Sequence, residues 1–331
     1  MKIIGRLVDL GIMVEGTGAS RGAGGTPTNW IPKSNITFDD KVLKARSTVG
    51  YGTINLEGNQ SLVARRHAEG VIDFDLHDQS FGLFLRALLG GYSNEGPADS
   101  AYTHTFSLDN NNQHRSLAFG YEEAGIGDLS YRLCMIESLT ITIVPEDVVK
   151  ITATFMGRHS ATAGNHTVTY IAENKFLGRH LSFKVEDATG DLAAGSNIPV
   201  RSLTLNFAKN LKLVHNSGTV EPEDILNQGF RVTGEVELDY ENRTYADLMN
   251  DGSYKAVRIQ LINTEALIGV TSRPQFLLDL SRCDFESWEP VRPNDELATQ
   301  TFQFAGLHDI TNGNVINNCQ LVNSHDGANY S

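Results

Sequence analysis

In the stretch GVIDFDL, Ile72, Phe74 and Leu76 share one parity while Val71, Asp73 and Asp75 share the other. A period of two predicts a half-buried β-strand. Ser80 follows as an N-cap for a helix over FGLFLRALL, which Gly90 and Gly91 would stop. The same order returns after Gly234. Val236, Leu238 and Tyr240 alternate with Glu235, Glu237 and Asp239, and Thr244 stands as N-cap for YADLM. At an offset of 164 residues, Gly70 meets Gly234, Asp73 meets Glu237 and Asp75 meets Asp239.

A second match follows in order. CMIESLTITIVPEDVVKITATFMG (Cys134–Gly157) lies over CDFESWEPVRPNDELATQTFQFAG (Cys283–Gly306) at an offset of 149, with Cys134/Cys283, Glu137/Glu286, Thr152/Thr301, Phe155/Phe304 and Gly157/Gly306 identical. In the first copy Leu139, Ile141 and Ile143 alternate with Ser138, Thr140 and Thr142. After Pro145–Asp147, Ile151, Ala153 and Phe155 alternate with Lys150, Thr152 and Thr154, which predicts a hairpin with one wet face. In the second copy WEPVRP (Trp288–Pro293) breaks the alternation and leaves the register open.

Two ordered matches predict a tandem duplication. The fold class expected is mainly β, a sandwich or barrel with one short helix per repeat. The expected limits are an N-terminal arm over 1–34, a first domain over 35–170, a second over 171–309 and a tail over 310–331. Lys41–Glu69 and Asn206–Val232 read as long loops, either arms reaching a neighbouring subunit or mobile excursions. Gly90–Tyr102 reads as a loop present only in the first copy. The Asn-rich tail is open between a strand and disorder.

Composition narrows the function. Hydrophobic residues are 40% and charged residues 20% of the chain, as in soluble globular proteins. No apolar run reaches the roughly 18 residues of a membrane span, and no signal-peptide pattern opens the chain, so membrane insertion is not expected and the cytoplasm is the expected place of assembly. The net charge of −13 argues against a surface that clings to nucleic acid. Cys134, Cys283 and Cys319 form no CxxC pair, and the first two read as equivalent core positions.

Candidate chemistry is sparse. GTGASRGAGG (Gly16–Gly25) lacks both the spacing and the Lys-Ser/Thr of a phosphate loop and reads as a flexible arm. Asp73 with Asp75 could hold a cation or transfer protons. Their return as Glu237 and Asp239 fits a duplicated surface better than a duplicated active site. No catalytic residue, metal ligand or cofactor is assigned, and no enzyme is expected.

These residues together resemble the major tail tube proteins of long-tailed, siphovirus-like bacteriophages. The resemblance rests on VEGTGASRGAGGTPTNWIP, the long loop after it, GVIDFDLHDQSFGLFLRALLG, the excursion ending AYTHTFSL, and SLTITIVPEDVVKITATFMG. It covers 7–157 well and 176–309 more loosely. It implies stacked rings of six tube domains around a DNA channel, so a duplicated chain would need three copies per ring. About four inner strands per domain would give about 24 per ring, a backbone diameter of about 50 Å and a bore of about 40 Å. Lumen-lining residues are then expected at Asp73, Asp75, Thr140, Thr142, Thr152, Thr154, Glu235, Glu237 and Asp239, whose acids would let DNA slide. Inter-ring contacts are expected at Lys41, Lys44, Arg46, Arg65 and Arg66. The implied partners are further copies of the chain, tape measure, tail tip and tail terminator proteins, and transiently DNA; the implied location is the virion tail. Two alternatives stand beside this reading: a two-module carbohydrate-binding β-sandwich, and the inner tube of a contractile secretion apparatus.

Overall fold

A computed structural model of the protein describes residues 4–47, 49, 51–54, 60–123 and 125–330. Thr48, Gly50 and residues 55–59 of the first long loop lie outside them. In chain order the strands begin with β1 (Val8–Val14), β2 (Asn29–Ile31), β3 (Asn35–Ile36), β4 (Asp39–Arg46) and β5 (Ser61–Asp75). Helix α1 (Phe81–Leu89) precedes β6 (Gly90–Ala98), β7 (Ala101–Leu108), β8 (Leu117–Glu123), β9 (Leu129–Ile143), β10 (Lys150–Gly157) and β11 (Ala161–Thr162). Then come β12 (Leu181–Glu186), β13 (Ser202–Val214), β14 (Asp224–Asp239), helix α2 (Thr244–Asp251), β15 (Lys255–Ile262), β16 (Gln275–Val291), β17 (Thr299–Gly306) and β18 (Ile316–Asn323).

The mainly β expectation holds, and every ladder between these strands is antiparallel. One sheet runs in the order β3/β4, β5, β10, β9, β13, β14, β17, β16. Its apolar side packs on two smaller sheets and on α1. The first small sheet is β2, β1, β8, the N-terminal part of β9, and β11. The second is β12, β15, the N-terminal part of β16, β18, β7 and β6. A single hydrophobic cluster runs through both halves, from Leu10 and Phe155 to Phe302 and Leu321.

The order of elements recurs. β5, α1, β8, β9 and β10 are followed later by β14, α2, β15, β16 and β17, and the registers agree with both sequence offsets. Thr152 stands opposite Asp73 and Thr140; Thr301 stands opposite Glu237 and Glu289. The identical Glu137 and Glu286 both fall where β9 and β16 skip one partner, so each is a bulge residue that bends its strand from one sheet into the other. The WEP segment therefore continues the strand in the register of its counterpart. Cys134 and Cys283 are buried side chains at equivalent positions, and burial raises both thiols.

Several expectations need correction. Lys41–Glu69 and Asn206–Val232 belong largely to two long hairpins, β4–β5 and β13–β14, rather than to loops. Most of β4 is exposed on both faces, so it carries no alternation to read. Gly90–Tyr102 is not a loop: β6 pairs with β7. The tail supplies β18, which joins β16 to β7 and so ties the end of the chain to a hairpin of the first repeat. Segment 1–34 is more than an arm, since β1 and β2 lie in a sheet.

The glycine-rich stretch is wrapped round a buried carboxylate. Glu15 is 1% exposed and accepts backbone N–H groups of Gly22 and Gly24 at 2.9 Å each, that of Leu133 at 3.2 Å, and the Ser116 hydroxyl. Neither helix is capped by its expected side chain. Glu173, from the stretch between the repeats, accepts N–H from Ser80 at 2.6 Å and Gln79 at 3.2 Å, placing a carboxylate at the N-terminus of α1. At α2, Asn242 Oδ1 accepts the Thr244 N–H at 3.1 Å.

Candidate functional site

The nine residues singled out as a polar surface come from β5, β9, β10 and β14, and the eight-stranded sheet sets them on one face. Apolar neighbours of opposite parity, Ile72, Phe74, Leu139, Ile141, Ile151, Ala153, Val236 and Leu238, are all buried. One row crosses seven strands: Asp75, Lys150, Thr142, Thr204, Glu235, Gln303 and Ser287 stand opposite one another in turn. Another passes from Asn35 through Asp73, Thr152, Thr140 and Asn206 to Thr233. Both rows cross the β9–β13 ladder, where the two repeats meet edge to edge.

Hydrogen bonds knit the face laterally. Thr152 Oγ1 donates to Asp73 Oδ1 at 2.8 Å, Thr140 Oγ1 to Asn206 Oδ1 at 3.2 Å, and Gln303 Nε2 to Glu235 Oε2 at 2.7 Å. Its acids are not all bare. Lys175 reaches Asp75 at 2.8 Å, and Arg201 pairs with Asp239. Exposed pairs of this kind contribute little stability, yet they reduce the negative charge of the face.

Thr204, Asn206, Thr233 and Gln303 belong to the same face but were not among the expected residues, and Lys150, expected on the polar parity of its strand, joins them. Ser202, Thr204 and Asn206 alternate with Leu203, Leu205 and Phe207, so part of β13 was legible. It was hidden by reading a loop from Asn206 onward.

The basic candidates sit on the first hairpin. Lys41, Lys44, Arg46 and Arg65 are exposed, beside the exposed apolar side chains Val42, Leu43, Leu62 and Val63. Arg66 is turned to the second hairpin instead: its N–H donates to Val220 O at 2.8 Å and its guanidinium meets Glu221 at 3.0 Å. Among the described residues, no group of three or more His, Cys, Asp or Glu is placed to hold a metal ion. Trp30 is buried and Trp288 half-buried, so neither offers the open platform a sugar would stack on.

A profile described as phage tail tube protein matches residues 16–305, most of the chain. The chain belongs to the phage tail tube protein family. No curated protein matches it significantly. A tail tube protein is a structural component of the virion tail that assembles with copies of itself into stacked tubes.

Acid should weaken this tail tube protein at the end of β5. Burial lowers the His77 imidazole to about 4 from its usual 6.5, with Lys175 adding to the shift. The folded state keeps the ring neutral while the unfolded chain takes a proton near 6.5, so its stability is full above that pH and is lost as pH falls towards 4. Burial shifts His104 and His114 in the same direction. Burial raises Asp78 and Glu173, which opposes part of the loss. Between pH 7.5 and 5 the wild type is expected to lose about 2 kcal/mol more than His77→Gln. Urea titrations of both proteins at both pH values check this, and equal losses would refute it.

Proposed function

We propose that this tail tube protein carries two tube units in one chain, and that three chains close a ring of six units around a channel for DNA ejection. The observation that carries the reading is the β9–β13 ladder, which fuses the strands of both repeats into one sheet with one unbroken polar face. Four strands from each repeat give eight per chain and about 24 in a ring of three. At about 4.8 Å spacing and about 45° tilt, that ring has a backbone diameter of about 50 Å and a bore of about 40 Å, wide enough for a duplex.

On this reading Asp73, Asp75, Thr140, Thr142, Thr152, Thr154, Glu235, Glu237 and Asp239 line the channel. Hydroxyls and carboxylates there offer phosphates no cationic foothold, and the scattered Lys150, Lys175 and Arg201 are each beside an acid. The β4–β5 hairpin, with its exposed basic and apolar side chains, is the contact to the next ring. Tape measure, tail tip and terminator proteins would meet the inside and the ends of such a tube, which would assemble in the host cytoplasm.

Negative-stain electron microscopy with mass measurement tests the reading. Hollow rings or tubes built from three chains are expected; a monomer that stays monomeric at high concentration and with a tail-tip extract added would overturn it. The stacking contact has its own test. Reversing Lys41, Lys44, Arg46 and Arg65 to glutamate is expected to leave the fold intact by circular dichroism and to stop tubes lengthening. Normal polymerisation of that variant at physiological salt would reject the contact.

A further inference from the structure

The ladder inside the chain is a template for a contact between chains. We infer that the C-terminal edge of β16 in one copy pairs with the β3–β4 edge of the next, both without a strand partner among the described residues, in the register that β9 and β13 already use, and that residues 4–8 of the next copy dock on the turn after β16. The inference deepens the tube reading and rests on it for closure into a ring.

The two free edges are the repeat equivalents of the two joined ones. β16 follows β9 at an offset of 149. β13 matches β3 and β4 at an offset of 167: Ser202 and Asn35 face Glu237 and Asp73, and Asn206 and Asp39 face Thr233 and Glu69. An irregular backbone bond repeats as well, from Arg201 N to Glu237 O and from Ser34 N to Asp73 O, both 2.8 Å. Transferring the Thr204–Thr142 and Leu205–Ile141 pairs sets Thr37 opposite Val291 and Phe38 opposite Pro290 of the neighbouring copy.

The edge chemistry agrees. Thr37 N donates to Val71 O at 2.8 Å, so ladder alternation turns the polar groups of Ile36, Phe38 and Asp40 outward. Carried across the sheet, the same alternation turns Trp288 and Pro290 outward on β16. Pro290 has no N–H to give, and the Phe38 carbonyl opposite it already accepts the Tyr121 hydroxyl at 2.9 Å. The missing donor leaves no orphan acceptor.

The start of the chain carries independent support. The turn Gly5–Leu7 matches Gly178–His180, and Leu7 N donates to Ile4 O as His180 N donates to Leu177 O. Inside the chain, Gly178 N donates to Asp147 O at 2.9 Å, and a Cβ on Gly178 would lie 1.9 Å from Val144 O. Gly5 has nothing within 4 Å of such a Cβ. Val148 bridges Leu177. Their equivalents, Leu297 and Ile4, are 64% and 63% exposed, although both are apolar. Docking a second copy in the template register covers each with the other. The turn after β16 then enters the open cleft of about 950 Å³ bordered by Gly5, Arg6, Lys33, Asn35 and Tyr131. One pair is unfavourable, since Asp39 falls opposite Glu289, with Lys41 on the diagonal.

Thr37 and Val291 form a non-hydrogen-bonded pair, whose Cα separation of about 4.5 Å suits a disulfide. Both are exposed and the native cysteines are buried, so they can be replaced without interference. Mixing Thr37→Cys with Val291→Cys under mild oxidation is expected to give at least tenfold more covalent dimer than either alone. The double variant should give a series ending in a closed three-chain species. Thr37→Cys mixed with Glu289→Cys, two residues out of register, should stay near background. Rings by microscopy without the Thr37–Val291 cross-link would overturn this junction and leave the tube standing. The specific cross-link in an open series without closure would keep the junction and overturn the three-chain ring. Neither rings nor cross-link after prolonged oxidation at high concentration would count against both.

Discussion

Glu15→Ala is expected to destabilise the protein by about 3–5 kcal/mol, because it strips the acceptor from several buried donors at once. The N–H groups of Gly22, Gly24 and Leu133 and the Ser116 hydroxyl all point at this one carboxylate. None of the three backbone donors can turn away, since their peptides are fixed by the loop and by β9. Leu133 is further held at φ 55, a left-handed conformation that a leucine adopts only when its surroundings impose it. Glu15→Gln keeps the shape but offers one oxygen and an NH₂ group to a ring of donors, so about half of the loss is expected. Urea denaturation by tryptophan fluorescence and circular dichroism measures both. A Glu15→Ala midpoint within error of wild type would show that the glycine-rich loop is held by something other than this carboxylate.

Phe155→Ala should cost a comparable amount, about 3–5 kcal/mol, through the lost transfer energy and the cavity left behind. Its ring meets Phe119 at 4.9 Å, Phe84 at 6.1 Å and Phe38 at 6.4 Å between centroids, all edge-on. These partners come from β8 of the first small sheet, from α1 and from the segment between β3 and β4, so one side chain fastens all three to the eight-stranded sheet. Phe155→Leu fills most of the volume and is expected to cost about 1–2 kcal/mol. Thermal unfolding of the three proteins gives the ordering. If alanine and leucine were equally mild, the layers would be held chiefly by backbone pairing. The equivalent Phe304 stacks over Gly234, where a Cβ would lie 2.2 Å from its ring. Gly70 stands opposite Phe155 in the same register as Gly234 and Phe304, but a Cβ there would meet the backbone of Thr37 and Phe38 instead of a ring.

Part of the central sheet, β5, β10, β9 and the later half of β14, could be read from residue order alone. Wherever one strand face is buried and the other wet, the alternation states both the strand and its parity, as at Asp73, Thr140 and Thr152. The matched cysteines and the two offsets followed from identities between the two stretches, whereas the bulges at Glu137 and Glu286 appeared only in the strand pairing. The β4–β5 arm could not be read, because its strands are wet on both sides and are held by backbone bonds, which carry no side-chain signature. The β13–β14 arm does bury Ile225 against half-buried Leu211 and Leu213, a pattern hidden by reading a loop there. The true start of the recurrence was also missed, although Gly5-Arg6 and Gly178-Arg179 repeat in plain sight.

The sequence by itself determined which residues are apolar inside and polar outside, and that this pattern occurs twice. Pairing partners far apart in the chain were settled only in three dimensions. The β9–β13 ladder, the capture of β18 between β16 and β7, and the Glu173 carboxylate at α1 all join segments whose local sequences say nothing of each other. Backbone hydrogen bonds are the same for every residue, so the choice of partner rests on shape and burial across the whole molecule. That choice turned two similar stretches of chain into one continuous surface.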